Sequence, residues 1–297
     1  MRKNGAVYRL IAAMVIFGTV GVFARAIPLP TPVTAMLRGA IGAAVLLAFC
    51  LLRGRKPDGA AIRSNLLLLV LSGAAMGFNW ILLFEAYRYT TVATATLCYY
   101  LAPTFVTLLA PLVLREKWTL TGIACALVAL GGIVLVSGAT SDGIGDGRGI
   151  LLGVGAAALY ATVVLMNRRL GEIDAYSSTI VQLASAAAAM MPYLLLTQRA
   201  PLPHLTANAC AMLAVICVVH TGLAYLLYLG SLGKVSTMQA ALFAYLDPVV
   251  AVFASALWLG EPITWKTAVG AVLILGAAAA GELLSAKERK KQHDLSR

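Results

Sequence analysis

Two stretches of this chain hold the groups best suited to act on a solute. Tyr99-Tyr100-Leu101-Ala102-Pro103 lies inside one long apolar run, and Ala244-Tyr245-Leu246-Asp247-Pro248 inside another. A proline within a helix lacks an N–H and strands the carbonyl four residues earlier. Pro103 and Pro248 therefore free the carbonyls of Tyr99 and Ala244. Within a bilayer, each has to find protein, water or a ligand. The two helix breaks are either packing kinks or the walls of a binding site.

Asp247 bears on that choice. It alone of the twelve acidic residues falls at mid-span, where an ionised carboxylate costs at least about 2.5 kcal/mol. It is expected to face the interior, paired or protonated. His220 lies at similar depth in the preceding run. Paired across the two runs, they would hold a proton or a cationic group. In the blander reading His220 is a hydrogen-bonded packing residue and Asp247 a partner for a nearby donor. Trp80, Tyr99, Tyr100 and Tyr245 collect on the same runs, with Asn79 beside Trp80. Aromatic walls with a few polar groups suit amphiphilic solutes or stack on a cation. Tyr and Trp are equally at home in helix packing and membrane interfaces.

The elements that must position these residues are membrane helices. With 61% apolar and 12% charged residues, the chain departs from soluble composition. Ten apolar runs are long enough to cross a bilayer: roughly 6–26, 33–52, 66–86, 91–113, 118–137, 149–166, 176–196, 208–229, 236–259 and 264–284. The short alternating segments of a transmembrane barrel are absent. Seventeen of the 23 Lys and Arg fall in loops on one side and five on the other. The net charge of +11 therefore reads as orientation, with both termini cytoplasmic in the plasma (inner) membrane. It is not read as a nucleic-acid signature. Ala24-Arg25-Ala26 resembles a signal-peptidase site, but an even span count needs the first helix retained.

The break motifs are copies of one another. At an offset of 145 residues Tyr100/Tyr245, Leu101/Leu246, Pro103/Pro248, Glu116/Glu261, Thr119/Thr264 and Gly131/Gly276 are identical without a gap. Such a match sets the architecture. Residues 5–138 form a first five-helix repeat, 147–284 a second, and 285–297 a basic cytoplasmic tail expected to be solvated and without fixed structure. Five is odd, so the second half enters the membrane from the opposite side. The fold expected is all-α and integral to the membrane, ten transmembrane helices in two inverted repeats.

Arg38 falls inside the second span. It is either a residue snorkelling to the interface or a buried one facing the bundle. Its candidate partner is Glu85, near the matching end of the third span, although Glu85 and Arg88 also lie one helical turn apart. Thr119 and Thr264 are candidate helix caps. The five cysteines have no CxxC pair and suggest no metal site or disulfide. No cofactor is implied.

The chain resembles the drug/metabolite transporter superfamily, in its two-copy EamA form. The resemblance rests on Leu83-Phe84-Glu85-Ala86-Tyr87-Arg88-Tyr89-Thr90-Thr91-Val92-Ala93, on Tyr100-Leu101-Ala102-Pro103 with Arg115-Glu116-Lys117, and on Tyr245-Leu246-Asp247-Pro248 with Gly260-Glu261-Pro262. It covers roughly residues 5–284 and implies a ten-helix bundle with a central cavity, working by alternating access. The expected function is secondary transport, by export or exchange, of a small metabolite such as an amino acid or related amphiphilic solute. Multidrug or organic-cation efflux is the alternative. A proton is the candidate coupling ion. Gly230-Ser231-Leu232-Gly233-Lys234-Val235 lacks the first glycine and final hydroxyl of a phosphate loop, so ATP is not expected to drive transport from within the chain. An intramembrane enzyme would need more clustered acids, histidines or a nucleophile with a base, and a non-transporting scaffold remains a minor reading.

Overall fold

A computed structural model describes residues 2–114, 119–138, 147–198 and 201–295. Arg115-Glu116-Lys117 and most of the inter-repeat linker lie outside the described residues. The helices are α1 (Arg2–Arg25), α2 (Thr31–Leu52), α3 (Gly59–Tyr89), α4 (Val92–Tyr99), α5 (Ala102–Leu114), α6 (Leu120–Gly138), α7 (Gly147–Asn167) and α8 (Ala175–Thr197). Then follow α9 (Ala207–Ala214), a π-helical segment Val215–Leu223, α10 (Ala224–Leu229), α11 (Thr237–Ala244), α12 (Leu246–Leu259) and α13 (Trp265–Leu295).

Among the described residues there is no strand. Nine stretches of the described residues, from Gly5–Arg25 to Leu242–Leu259, are long and apolar enough to cross a bilayer, and Trp265–Gly281 is a shorter tenth. The fourth span is α4 plus α5, the eighth is α9 through α10, and the ninth is α11 plus α12. Residues beyond 284, expected to lack structure, continue α13 to Leu295. Their Ala, Glu, Lys, Arg and Gln are good helix formers, so a helix already nucleated in the bilayer propagates through them.

Polar side chains placed at the turns set the helix starts. Asp58 accepts from the Ala60 and Ala61 amides, and Asp174 from those of Tyr176 and Ser177. Ser236 and Gln239 form a reciprocal capping box at α11. Thr119 and Thr264 cap as their positions suggest, accepting from Gly122 at 3.1 Å and Thr267 at 3.2 Å. Each cap satisfies backbone donors that a helix start would otherwise leave open.

Helix packing follows the internal repeat. The second span packs on the seventh (α2 on α8), and the fifth on the tenth (α6 on α13). Several of the larger remaining contacts come in exchanged pairs. The third span meets the sixth as the first meets the eighth, and the first meets the ninth as the sixth meets the fourth. Exchanging the two repeats thus maps these contacts onto one another, as a pseudo-two-fold between halves requires. Ten crossings put both termini at one end of the bundle, called the terminal end below; the opposite end is the far end.

Close approach of backbones places the site. A Cβ on Gly18 of α1 would meet the Asp247 carbonyl oxygen at 2.5 Å and the Val250 Cβ at 2.7 Å. The smallest residue thus lets α1 lie directly on the start of α12, the small-residue contact that membrane helices rely on. Gly18→Ala is expected to force these helices apart and destabilise the bundle by about 1–3 kcal/mol, the usual cost of overpacking. Gly276→Ala on α13, where a Cβ would meet nothing within 4 Å, is expected to be neutral. Thermal unfolding in detergent compares the two; equal melting temperatures would contradict the close-approach argument.

Candidate functional site

Both expected helix breaks are present. α4 ends at Tyr99 and α5 begins at Ala102, while α11 ends at Ala244 and α12 begins at Leu246. Pro103 and Pro248 therefore stand in the first turn of a new helix segment, where a missing N–H costs little. The Tyr100 hydroxyl donates to the Ala244 carbonyl at 3.1 Å. That carbonyl is the one Pro248 leaves without its helical partner, so a side chain of the first repeat satisfies the break in the second. The Tyr100 and Tyr245 rings lie 6.4 Å apart at their centroids. Asp247 sits beside the Tyr100 hydroxyl.

These groups line a cavity of about 570 Å³, within the range of small-molecule sites. Asp247, Tyr99, Tyr100, Tyr245, Trp80 and Arg38 all face it, with Pro103 in its wall. Tyr160 and Tyr225 also line it, with Tyr160 5.4 Å from Tyr99 and Tyr225 5.5 Å from Phe17, centroid to centroid. The lining runs from these mid-span residues to Thr119, Ile123 and Arg168. Arg168 follows α7 at the terminal end, so the cavity reaches that end of the bundle.

Arg38 is buried, at 5% exposure. Its Nε donates to the Thr221 hydroxyl at 2.9 Å. Its guanidinium carbon sits 4.3 Å from the Trp80 ring centroid and 5.6 Å from that of Phe84, within cation–π range. Thr221 in turn donates to the Ile216 carbonyl at 3.0 Å, five residues back along the π-helical segment. The wide turn thus positions the residue that holds the arginine, and π-helical turns are often found at functional sites. An unpaired charge at this depth costs at least about 2.5 kcal/mol.

The expected Arg38–Glu85 pair does not form. Glu85 accepts from the Thr31 hydroxyl at 3.1 Å and pairs with Arg88 at 3.8 Å, outside the cavity lining. Equal depth does not fix which way a helix face points, and the partner one turn away was nearer. The His220–Asp247 pair is also absent. His220 turns to α1, with Nε2 2.9 Å from the Thr19 hydroxyl, Nδ1 3.3 Å from the Val215 carbonyl and its ring 4.9 Å from that of Phe23. Both ring nitrogens are engaged, as in the packing reading of this residue. Asn79, fully buried, donates across to the Ala156 carbonyl at 2.5 Å. It joins α3 to α7 behind the cavity wall rather than in it. Thr221, which holds Arg38, and Tyr87 and Thr96, which line the cavity, do not stand out in the sequence.

At the far end a contact joins the two repeats. The Glu261 carboxylate accepts from the Val92 and Ala93 amides at 3.0 and 3.4 Å and pairs with Arg25 at 2.5 Å. The backbone amides belong to the start of α4, where the helix dipole favours an anion. Gly260, at a φ of 66°, makes the left-handed turn that brings the glutamate round.

The sequence profile of the EamA-like transporter family matches residues 5–138 and 147–280. A Bacillus subtilis (strain 168) protein named "Uncharacterized transporter YxxF" is 29% identical over 283 residues, covering 94% of this chain and 89% of its own. An "Uncharacterized transporter" of Archaeoglobus fulgidus is 25% identical over 283 residues, covering 94% of this chain and 95% of its own. A solved crystal structure superposes with a TM-score of 0.65 at 20% identity, covering 94% of this chain and 98% of that one. That likeness bears on the fold alone.

Removing the Glu261 carboxylate would leave two α4 amides and Arg25 without their acceptor. Glu261→Ala is expected to cost about 1–3 kcal/mol and to raise hydrogen exchange at the Val92 and Ala93 amides. Exchange at wild-type rates there would mean that the far end is held by other contacts.

Proposed function

The chain belongs to the EamA-like transporter family, and on that premise we propose that it is a secondary active transporter working by alternating access. Its cargo is a small amphiphilic organic solute, an amino acid or a relative of one, exported or exchanged across the plasma membrane with both termini in the cytoplasm. One observation carries the reading. A cavity between the two repeats, lined by both helix breaks, reaches the terminal end, while Arg25 and Glu261 join the repeats at the other. A cavity reaching one end, with the repeats joined at the other, is the arrangement that alternating access asks of one state. The mapping of one repeat's contacts onto the other's supplies the route to the opposite state.

Asp247 is the candidate coupling residue, since it faces the cavity and Tyr100 is its neighbour. His220, engaged with Thr19 and Val215, is not a relay for it. The same carboxylate among Tyr99, Tyr100 and Tyr245 supports the second reading, efflux of organic cations. Counterflow in proteoliposomes, with a panel of amino acids, amines, sugars and nucleosides, tests both. Wild-type protein is expected to exchange at least one amino-acid-like solute, and Asp247→Asn to slow that exchange at least tenfold or to flatten its pH dependence. Asp247→Asn exchanging at the wild-type rate with the wild-type pH profile would remove Asp247 from transport. Exchange of amines alone would favour cation efflux.

A further inference from the structure

Arg38 has more donors than the protein uses. A guanidinium carries five N–H groups, and among the described residues its one hydrogen-bond partner is Thr221, at Nε. No described carboxylate lies within 4.0 Å of it. It is nonetheless 5% exposed and part of the cavity wall. The obvious internal counterion, Glu85, is taken by Thr31 and Arg88. A purely structural arginine at this depth would be expected to spend its Nη donors on backbone carbonyls or an acid. Here the two Nη groups are left for whatever occupies the cavity.

The side chain is also held in place before anything binds. Thr221 is fixed by the Ile216 carbonyl, and the guanidinium carbon sits over the Trp80 ring. α2 approaches the π-helical segment closely here, because a Cβ on Gly42 would meet the Thr221 Cγ2 at 2.5 Å. A planar fork of free N–H donors, pre-positioned in a largely apolar site, is the arrangement that binds a carboxylate through two parallel hydrogen bonds.

The rest of the cavity narrows the class. Asp247 in the same cavity disfavours a second negative charge, so a phosphate dianion fits poorly. Tyr99, Tyr225 and Phe17 along the wall favour an apolar or aromatic body. We infer that Arg38 is the anion-binding group of this transporter and that its cargo is a monocarboxylate with an apolar body. That solute is either an amino acid that sets its amine toward Asp247 or a simple organic acid. The inference rests on the transport reading for the word cargo, but not for the binding itself.

Binding to purified protein in detergent tests it, with a matched set of probes: phenylacetate, L-phenylalanine, phenethylamine and phenethyl alcohol. The readout is a saturable rise in melting temperature, which follows from mass action. Phenylacetate or L-phenylalanine is expected to stabilise the wild type, and the amine and the alcohol are not. Stabilisation by phenylacetate would favour a simple acid, and by L-phenylalanine alone an amino acid. Arg38→Gln is expected to weaken acid binding by roughly tenfold or more, as loss of a charge-assisted pair does. Arg38→Lys should weaken it too, because a lysine lacks the fork. Should Arg38→Gln fail to fold, Thr221→Val keeps the arginine but removes its anchor, and a several-fold loss of acid affinity is expected.

Three outcomes overturn the inference: no stabilisation by either acid, equal stabilisation by phenethylamine, or acid binding unchanged in Arg38→Gln and Thr221→Val. Failure of the transport reading looks different. Acid-selective binding without counterflow of any solute would sink transport and leave the anion site standing. Counterflow of amines without acid selectivity would do the reverse.

Discussion

A bilayer offers no water to an unpaired backbone group, and the architecture of this protein is built around that constraint. Each repeat breaks one helix at mid-span with a proline, and each break releases a carbonyl. The Tyr100 hydroxyl meets the one at Ala244. Because donor and acceptor come from different repeats, this hydrogen bond ties the halves together where the helices are weakest. It also dictates where the cavity lies. The tyrosine must stand at the interface between repeats, and Asp247, three residues after the carbonyl, is brought to the same place.

The rest of the bundle serves that interface. Gly18 lets α1 rest on the backbone of Asp247, and Gly42 lets α2 approach Thr221. In soluble proteins such contacts would come second to burial of large apolar side chains. In a membrane, lipid is as apolar as leucine, so close backbone approach and buried hydrogen bonds carry more of the association. Asn79 on Ala156 and the Gln182 side chain on Ser72 are further examples of polar groups used as helix-to-helix joints.

Depth was legible in the sequence, and direction was not. Pro103, Pro248, Tyr100 and Asp247 could be placed at mid-span from run lengths alone, and the 145-residue offset exposed the repeat. Depth also paired Arg38 with Glu85 and His220 with Asp247, and both pairings failed. Depth fixes one coordinate of a helical residue and leaves its angle about the axis undetermined. For His220 the error has a local source as well. Residues Val215–Leu223 wind as a π-helix, which rotates each later residue relative to an α-helical count. No composition marks such a segment, so Thr221, the residue that holds Arg38, was invisible to pattern reading. The long tail of α13 was missed for the opposite reason. Its charges read as solvated chain, while their good helix propensity let the helix run on.

The shared cavity of Arg38 and Asp247 has an electrical consequence. One guanidinium and one ionised carboxylate sum to no net charge. On the proposed alternating-access reading, an empty carrier reorienting with both would do no work against the membrane potential on their account. A zwitterionic cargo would leave that balance intact, whereas a monoanion would make the loaded step voltage-sensitive, by about 2.3 kcal/mol per charge for each 100 mV crossed. The opposite charges facing this cavity thus make the membrane voltage itself a reporter of what the protein carries.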